Sequence, residues 1–374
     1  MATSEKVYDC AIIGGGLAGL SLAIQLADQG LSVVLFEKNQ YPFHKVCGEY
    51  ISMESYDFLH SLGVPFGELN VPFISRLGVS SEQGFMLEHK LSLGGFGISR
   101  YRLDHMLSQL AVGRNVTILE NCRVQRVHSV SADLFEIQAN TGTHQAKIAC
   151  GSYGKYDPQF VNRPQKSGTN YIGVKYHIQT DLASDRIELH NFKDGYCGVS
   201  KVEDDWYCFC YLTTAQNLVD SGKDIRKMEA QILSKNPHLQ RYFSESIFRD
   251  RQPLVTSNVH FSKKSADYEG IFLLGDAAGS ITPLCGNGMS MALRGSKMLA
   301  SELAQHFLSG KSVSEVRQDY FNAWNAAFNT RINAGYYLQN LFGKRYATHL
   351  ALKALAKMPF VMDKFVGLTH GKRF

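Results

Sequence analysis

Residues 8–38 read YDCAIIGGGLAGLSLAIQLADQGLSVVLFEK, and this stretch decides the fold. Tyr8–Ile13 is a short apolar run typical of a strand, Leu17–Gln29 carries Leu and Ala at helical spacing, and Ser32–Phe36 is strand-like again. Gly30 stands at the position where helices commonly end on glycine. The stretch therefore predicts a strand–helix–strand unit.

The turn between the first strand and the helix contains glycines at the spacing of a dinucleotide fingerprint. Gly14, Gly16 and Gly19 form G-x-G-x-x-G. Gly14 permits a tight turn, Gly16 lacks the Cβ that would block a pyrophosphate, and Gly19 lets helix and strand approach. Glu37 ends the second strand eighteen residues after Gly19, and an acid at about this spacing accepts a ribose hydroxyl. The unit predicts dinucleotide binding and leaves NAD and FAD open.

Length and composition narrow the class of protein. With 374 residues, of which 44% are hydrophobic and 20% charged, the chain predicts a globular protein of two or three subdomains and excludes disordered, collagen-like and coiled-coil classes. The net charge of +5 is spread along the chain, so a nucleic-acid partner is not expected, and an acidic small molecule suffices as an anionic partner.

Glycines interrupt the uncharged run Cys10–Ala27, which argues against a membrane span or signal peptide.

The cysteines give an expectation about compartment and metals. The eight cysteines lack paired spacing, which favours reduced thiols and predicts a cytoplasmic protein. Cys208 and Cys210 form a C-x-C pair, but tetrahedral zinc needs two more soft ligands at short spacing. No metal site is predicted.

A second strand–turn–helix pattern lies in the last third of the chain. Ile271–Leu274 reads as a buried strand and Ser290–Leu303 as a helix, and the small-residue turns Gly275–Gly279 and Pro283–Met289 lie between them. These residues resemble the second FAD-binding motif of the flavoprotein monooxygenases of the p-hydroxybenzoate hydroxylase type and of the related geranylgeranyl reductases. The resemblance covers most of the chain and implies FAD. It also implies an α/β fold in which a Rossmann-like FAD-binding domain with a parallel sheet is interleaved with an antiparallel-sheet substrate domain.

The resemblance implies roles for particular residues of this second motif. Asp276 is expected to hold the ribityl chain, and backbone N–H groups from Gly286 to Met289 are expected to face the flavin pyrimidine edge. A helix N-terminus there suits the negative charge of reduced flavin. The predicted cofactor-binding residues of the motif are Gly275, Asp276, Pro283, Gly286, Asn287, Gly288 and Met289.

Two further stretches resemble family motifs beside the flavin. His44–Glu49 matches an R/K-x-C-G motif, which implies Lys45 and Cys47 as cofactor contacts. Arg100 opens a match to the R-x-x-L/F-D-x-x-L helix start, whose arginine approaches the cofactor. Cys47 has two open interpretations, an apolar lining residue or a catalytic thiol close to the flavin.

The chain departs from the family pattern in two places. Where relatives read G-A-D-G, residues 151–154 read GSYG, so Tyr153 replaces an aspartate associated with both FAD and NAD(P)H. Direct reduction by NADH or NADPH is therefore left open, and a separate electron donor is a predicted partner. The W-x-W-x-I-P motif of the tryptophan halogenases is absent from the sequence, which argues against halogenation.

The middle of the chain is predicted to form short strands of an antiparallel sheet. Their predicted bounds are Ile74–Ser81, Phe85–Leu91, Ile172–Thr180, Arg186–Phe192, Tyr196–Val202 and Trp206–Thr213. Alternation places Tyr207, Phe209 and Tyr211 on one face, with two uses open, packing against the nucleotide domain or lining a substrate pocket. His177 and Tyr196 lie in strands that can face the pocket and are candidate catalytic proton donors or acceptors.

The chain after Leu303 is predicted to be a C-terminal helical region. Its tail, His349–Phe374, mixes apolar residues with lysines and an arginine, a pattern suited to packing on the domain, to capping a substrate channel or to lying on an anionic membrane surface. The predicted division assigns 1–70, 96–165 and 261–305 to the FAD-binding domain, 71–95 and 166–260 to the substrate domain, and 306–374 to the helical region.

The predicted activity is that of an FAD-dependent oxidoreductase acting on an apolar small molecule. The preferred reaction is insertion of oxygen into an aromatic or polyene-like substrate by a flavin C4a-hydroperoxide, for which the protein holds FAD, excludes water and positions the substrate. The Cys47-Gly48 pair keeps a second activity open, reduction of an isolated C=C bond. A third interpretation is a non-catalytic FAD-binding protein in a complex.

Overall fold

The structure, a computed structural model, describes residues 6–163, 169–261 and 264–374. The strands in this part of the chain are β1 (Val7–Ile13), β2 (Val33–Phe36), β3 (Tyr50–Ser52), β4 (Phe73–Ser80), β5 (Met86–Gly97), β6 (Thr117–Leu119), β7 (Val124–Ser131), β8 (Leu134–Ala139), β9 (Gly142–Gly151), β10 (Tyr171–Gln179), β11 (Arg186–Phe192), β12 (Gly195–Lys201), β13 (Tyr207–Thr214), β14 (Ile247–Phe248), β15 (Leu254–Val259), β16 (Asp267–Tyr268) and β17 (Ile271–Leu273). The α-helices are α1 (Leu17–Asp28), α2 (Tyr56–Ser61), α3 (Phe66–Leu69), α4 (Arg100–Val112), α5 (Ala215–Asp220), α6 (Ile225–Gln231), α7 (Pro237–Glu245), α8 (Gly288–Ser309), α9 (Val313–Leu341), α10 (Arg345–Leu355) and α11 (Pro359–Thr369).

The first sheet is built around the N-terminal strand–helix–strand unit. Strands β17, β9, β1, β2 and β6 lie side by side in parallel, and β16, β7 and β8 add antiparallel pairs. Gly30 follows α1 with a φ of 81°, which glycine adopts without strain. Helix α1 packs on α8, and the hydroxyl oxygens of Ser21 and Ser296 lie 2.6 Å apart between them. The two glycine-rich motifs therefore meet on one side of this sheet.

The second sheet has the strand order β14-β10-β13-β12-β11-β4-β5-β3, with β15 alongside β10. Its neighbours are antiparallel except β4 and β11, which run parallel with Leu77 opposite Ile187. This pair departs from the predicted antiparallel pattern because β4 and β11 come from two separate hairpins, β4–β5 and β11–β12. The sheet forms when these distant hairpins join edge to edge.

The aromatic face of β13 packs against helices of the middle segment. Tyr207, Phe209 and Tyr211 share one apolar core with Met228 of α6 and Leu239 of α7. The structure thus gives this face a third use that neither prediction included, and of the three rings only Tyr211 also borders the cavity described below. The amphipathic helices between β13 and β14 supply the covering layer.

The C-terminal helices join both sheets. Tyr320 of α9 is buried and donates a hydrogen bond of 2.9 Å from its hydroxyl to the carbonyl oxygen of Leu273 at the first sheet. Leu352 of α10 and Met362 of α11 pack with Leu77 and Leu91 of the second sheet. The inner sides of α10 and α11 therefore cover this end of the second sheet.

The predicted fold class is confirmed, since a largely parallel sheet, a mostly antiparallel sheet and C-terminal helices are all present. The predicted segment bounds stay predictions, and the bound between 165 and 166 lies outside the described residues. None of the helices in the described ranges combines the length and hydropathy needed to cross a membrane. All eight cysteines are free thiols.

Candidate active site

A cavity of about 1030 Å³ lies between the two sheets and the C-terminal helices. The predicted site residues that line it are Gly14, Gly16, Glu37, Lys45, Cys47, Arg100, Tyr196, Gly275, Asp276, Pro283, Gly286, Asn287, Gly288 and Met289. Gly19 and His177 do not contribute to its wall. The fold therefore brings both predicted FAD motifs to one cavity.

The first glycine motif forms an open cradle at the start of α1. Gly14 has a φ of 108°, and a Cβ there would lie 2.4 Å from the carbonyl oxygen of Ser152. A Cβ on Gly16 would instead point toward two cations, 3.7 Å from Arg100 Nη2 and 3.9 Å from Lys45 Nζ. No side chain in the described ranges caps the N-terminus of α1, so its free N–H groups and these cations offer the surroundings that a phosphate requires.

Gly19 lies behind the cradle, where α1 packs against the glycine turn. A Cβ on this residue would lie 2.1 Å from the carbonyl oxygen of Gly14, so only glycine permits the close contact of α1 with the turn. This contact explains why Gly19 belongs to the motif although it does not line the cavity.

Glu37 at the end of β2 is fixed before any ligand binds. Its carboxylate accepts hydrogen bonds from the backbone N–H of Gly15 at 2.9 Å and of Asn39 at 3.0 Å, and from the Asn39 side chain at 2.9 Å. A carboxylate has about four acceptor positions, so one is left for a hydroxyl group in the cavity.

Asp104 holds the two cations of the cradle in place. Arg100 Nε and Nη2 and Lys45 Nζ each donate to its carboxylate at 2.8 Å. Burial favours the neutral acid, but Arg100 and Lys45 outweigh it and hold the pKa of Asp104 below its ordinary value. Two cations share one buried anion, so a net positive charge faces the cradle.

Glu49 anchors a second buried charge cluster beside the first. Its carboxylate accepts from Lys175 Nζ, from the backbone N–H of Arg100 at 2.8 Å and from His177 Nε2 at 2.8 Å. Burial raises the pKa of Glu49, but Lys175 and His177 reverse this effect and hold it below its ordinary value. His177 is thus engaged with Glu49 behind the cavity wall, and its predicted catalytic role remains a prediction.

The second motif lines the cavity opposite the cradle. In the described part of the chain no group donates a hydrogen bond to the Asp276 carboxylate, which faces the cavity. Helix α8 begins at Gly288, and no described side chain caps its N-terminus, so its first N–H groups are free for a ligand. Cys47 Sγ lies 3.7 Å from Met289 Sδ, which joins the 44–49 stretch to this helix start.

The other part of the cavity is an apolar arm under α10 and α11. Its walls are Leu77, Val79, Leu91, Leu189, Leu352, Leu355, Met362, Phe365 and Val366. Tyr196 lies between the motifs and the arm, because it packs with Leu284 and Leu189. Its hydroxyl is buried without a hydrogen-bond partner among the described residues, and burial raises its pKa. The arm thus has a mostly apolar wall, in which Tyr196 is a neutral phenol, and Thr348 of α10 and Thr369 of α11 also border the cavity.

The sequence motifs do not predict a function for Glu49, Asp104 or Lys175. Glu49 and Asp104 fall inside the motifs that were identified, but their partners are set by the tertiary fold. Lys175 carries a usable signal, since a lysine within the apolar run of β10 is buried only when it has an anionic partner.

These residues fit FAD. One cavity is lined by a cradle that a Cβ would fill, by the two cations beside it and by the acid at the end of β2. The Asp276 carboxylate and the start of α8 line it too, and neither has a side-chain partner among the described residues. The donors and acceptors match a dinucleotide with a flavin that becomes anionic on reduction.

Comparison with protein families gives two matches. Residues 9–45 match the family described as FAD dependent oxidoreductase, and residues 208–357 match the family described as squalene epoxidase. The first match covers the cradle and Glu37. The second covers β13 to β15 of the second sheet, the second motif and the helices α8 to α10.

Curated relatives are distant in sequence but extend over most of the chain. "Conditioned medium factor receptor 1" of Dictyostelium discoideum is 24% identical, with 99% of this chain and 75% of the relative covered. "Digeranylgeranylglycerophospholipid reductase 2" of Methanothermobacter thermautotrophicus is 23% identical, with 85% of this chain and 83% of the relative covered.

Solved structures share the fold. The flavin-dependent brominase Bmp2 superposes with a TM-score of 0.79 at 17% identity, with 97% of this chain and 93% of that chain covered. PqsL, a probable FAD-dependent monooxygenase from Pseudomonas aeruginosa, superposes with a TM-score of 0.74 at 15% identity. The superposition covers 93% of this chain and 100% of that chain. Family matches, fold and cavity together identify the chain as an FAD-dependent oxidoreductase with the fold of the flavin-dependent monooxygenases.

Proposed function

We propose that the chain is a monooxygenase that inserts one atom of dioxygen into an apolar aromatic or polyene-like small molecule. The other oxygen atom leaves as water, and a reductant supplies the two electrons while two protons come from solvent. When bound, FAD supplies the oxygen-activating chemistry through the predicted C4a-hydroperoxide. The chain's own residues bind FAD, exclude water and orient the substrate.

The observation that carries the proposal is that one cavity contains both the FAD motifs and the apolar arm. An apolar molecule in the arm is held next to the cofactor by a wall that is mostly apolar. Leu352, Met362 and Phe365 cover this arm, and exclusion of water protects an activated oxygen species from side reactions. Tyr196 offers a neutral hydroxyl that can orient one polar atom of the substrate.

The test is the mass of the product formed from aromatic and polyene probes by the reduced holoenzyme. Under ¹⁸O₂ we expect products heavier by one labelled oxygen atom. A Leu352→Trp variant should fill the arm and lower product formation while it keeps FAD. Leu350→Trp is the matched control, because Leu350 is on the same helix and is 66% exposed on its outer side. Equal loss of product in both variants would contradict the role of the arm.

Reduction of a C=C bond is the second candidate. It is favoured by the position of Cys47 beside Met289 at the cavity wall and by the similarity to a relative named as a reductase. In this reaction a hydride and a proton add across the double bond, so the product gains two hydrogen atoms. An anaerobic incubation that yields this gain, with no oxygen incorporated in air, would replace the monooxygenase proposal.

We further propose that a separate protein supplies the electrons. Tyr153 lines the cavity next to the cradle, its hydroxyl has no partner among the described residues, and burial raises its pKa. It is therefore neutral where relatives carry an aspartate, and charge contacts of a carboxylate with a nicotinamide nucleotide are lost. Stopped-flow bleaching of the flavin by NADH or NADPH should be slow with and without substrate, and rapid bleaching would overturn this proposal.

A further inference from the structure

The outer side of α10 and α11 exposes large apolar side chains. Its exposed members are Tyr346 (71%), Leu350 (66%), Phe360 (59%), Leu368 (45%) and Met358 (43%). Tyr346 and Leu350 are four residues apart on α10, so they lie on one side of that helix. In α11 the residues that line the cavity are Met362, Phe365, Val366 and Thr369, so Phe360 and Leu368 fall on the opposite side. Both helices are therefore apolar on two sides, one inside the cavity and one facing solvent.

The same segment contains the excess positive charge of the protein. Residues 344–374 hold seven Lys or Arg and one acid, a net +6, whereas the whole chain carries +5. The rest of the chain is thus slightly acidic, and the basic charge is confined to the helices with the exposed apolar side chains.

Most of these lysines are not neutralised by the protein. Lys344, Arg345 and Arg373 pair with Asp194, Glu82 and Asp57, respectively. Across the described residues, no carboxylate lies within ion-pair distance of the ammonium groups of Lys353, Lys357, Lys364 or Lys372, all of which are exposed. Free ammonium groups beside apolar side chains suit a surface that offers both phosphate groups and hydrocarbon.

We propose that the outer side of α10 and α11 docks on the surface of an anionic phospholipid bilayer. Phe360, Met358 and Leu350 enter the boundary between headgroups and acyl chains, and the lysines contact lipid phosphates. Charge complementarity selects this partner, because a second copy of the same basic surface would repel it.

Docking has a consequence for the cavity. Leu352 and Leu355 of α10 and Met362 of α11 form the roof of the apolar arm, so the helices that contact lipid on one side contact the contents of the cavity on the other. An apolar molecule dissolved in the bilayer has a short path to the arm. The docking itself is independent of the reaction proposed above, because it is measured without turnover.

The experiment is co-sedimentation of the FAD-loaded protein with phosphatidylcholine vesicles that contain or lack phosphatidylserine. We expect binding to the phosphatidylserine vesicles, little binding to phosphatidylcholine alone, and weaker binding at high salt. A Phe360→Trp variant should show a blue-shifted tryptophan emission with the anionic vesicles as the ring leaves water. Equal binding to both vesicle types, or binding to neither, would overturn the proposal.

Substitutions on the outer side of α10 and α11, compared with substitutions elsewhere, test whether this surface binds the vesicles. Lys357→Ser with Lys364→Ser should lower the affinity about 25-fold, at about fivefold per lysine, and Phe360→Ser should lower it about tenfold. The matched controls lie on other surfaces: Lys223→Ser with Lys227→Ser for charge, and Leu308→Ser, at a position that is 70% exposed, for apolar area. Controls that weaken binding as much as the test variants would contradict the assignment.

A dimer is the competing use of this surface. Analytical ultracentrifugation without vesicles should give a monomer mass for the wild type. A concentration-dependent dimer that Phe360→Ser dissociates would show that a second copy covers the surface, and it would overturn the bilayer proposal.

Discussion

The FAD end and the apolar arm of the cavity are built in different ways. The FAD end is built from short stretches, 14–19, 36–39, 44–49, 100–104 and 275–289, in which glycines open space and charges face a ligand. The arm consists of single side chains from β4, β5, β11, α10 and α11. The first is therefore specific for one cofactor, whereas the second is defined by shape and apolar surface, and a change in it should alter substrate choice without loss of FAD.

The sharpest test of the FAD end is Gly16→Val. A side chain there would occupy the space between the start of α1 and the two cations, where the pyrophosphate is expected, so FAD retention should be abolished. The measurement is the ratio of flavin to protein absorbance after purification. Gly67→Val is the control, because a Cβ at Gly67 meets no atom within 4 Å. Full flavin occupancy in Gly16→Val would contradict the phosphate assignment.

The Glu49–Lys175 pair provides the next largest effect. Both side chains are fully buried, so Glu49→Gln leaves an unpaired buried ammonium and should lower the free energy of unfolding by about 3–5 kcal/mol. Adding Lys175→Met should recover most of this loss, since no charge then remains unpaired. Glu245→Gln, which breaks an exposed pair with Arg241, should cost about 0–1 kcal/mol. Urea unfolding of the wild type and these three variants gives the comparison, and a loss in the double variant as large as that in Glu49→Gln would contradict the pairing.

The buried carboxylates of Glu49 and Asp104 predict how the stability of the protein depends on pH. The pKa of Glu49 and that of Asp104 are lowered from ordinary values of 4.5 and 3.8. The stability they contribute is present above those ordinary values and is lost as pH falls through the lowered folded-state pKa values. Glu49→Gln/Lys175→Met should therefore lose stability less steeply in acid than the wild type, whereas Asp133→Asn on the exposed β7–β8 turn should not differ. Urea unfolding at a series of pH values from about pH 5 downward gives the slopes, and the same slope in all three proteins would contradict the role of Glu49.

Asp276→Ala tests the opposite wall of the FAD end. Loss of a charge-assisted hydrogen bond to the ribityl chain should weaken FAD binding by about 1–3 kcal/mol, roughly 5- to 150-fold in Kd. Titration of the apoprotein with FAD, followed by flavin fluorescence, gives the value. Asp133→Ala is the control, since Asp133 is exposed in a turn. Unchanged affinity in Asp276→Ala would remove the residue from the site.

Tyr196→Phe makes the smallest change and concerns the boundary between the two regions. The variant keeps the ring and removes only the hydroxyl, which has no hydrogen-bond partner among the described residues, so FAD binding should not change. The KM of a substrate that carries a polar atom should rise about 2- to 10-fold, and that of a pure hydrocarbon should not. Steady-state kinetics with both substrate types checks this, and a loss of kcat without a change in KM would instead favour the predicted role of Tyr196 in proton transfer.

The two regions also differ in how far the sequence predicts them. The strand–helix–strand unit, Gly30 and the second motif follow from local spacing, because the chemistry of phosphate and flavin binding requires short contiguous patterns. The partner of a buried charge does not follow, since Lys175 and Glu49 are 126 residues apart and meet only in the folded protein. The apolar arm is harder still, because Leu77, Leu352 and Met362 resemble any other core residues until the helices pack on the sheet.

The central claim is that FAD and substrate occupy two ends of one cavity. A crystal structure of the protein purified with FAD and soaked with an apolar aromatic ligand tests it most directly. We expect pyrophosphate density at Gly16 and Arg100, the flavin ring against Cys47 and the start of α8, and the ligand under Leu352 and Met362. Flavin density inside the apolar arm, or ligand density only outside the cavity, would contradict it.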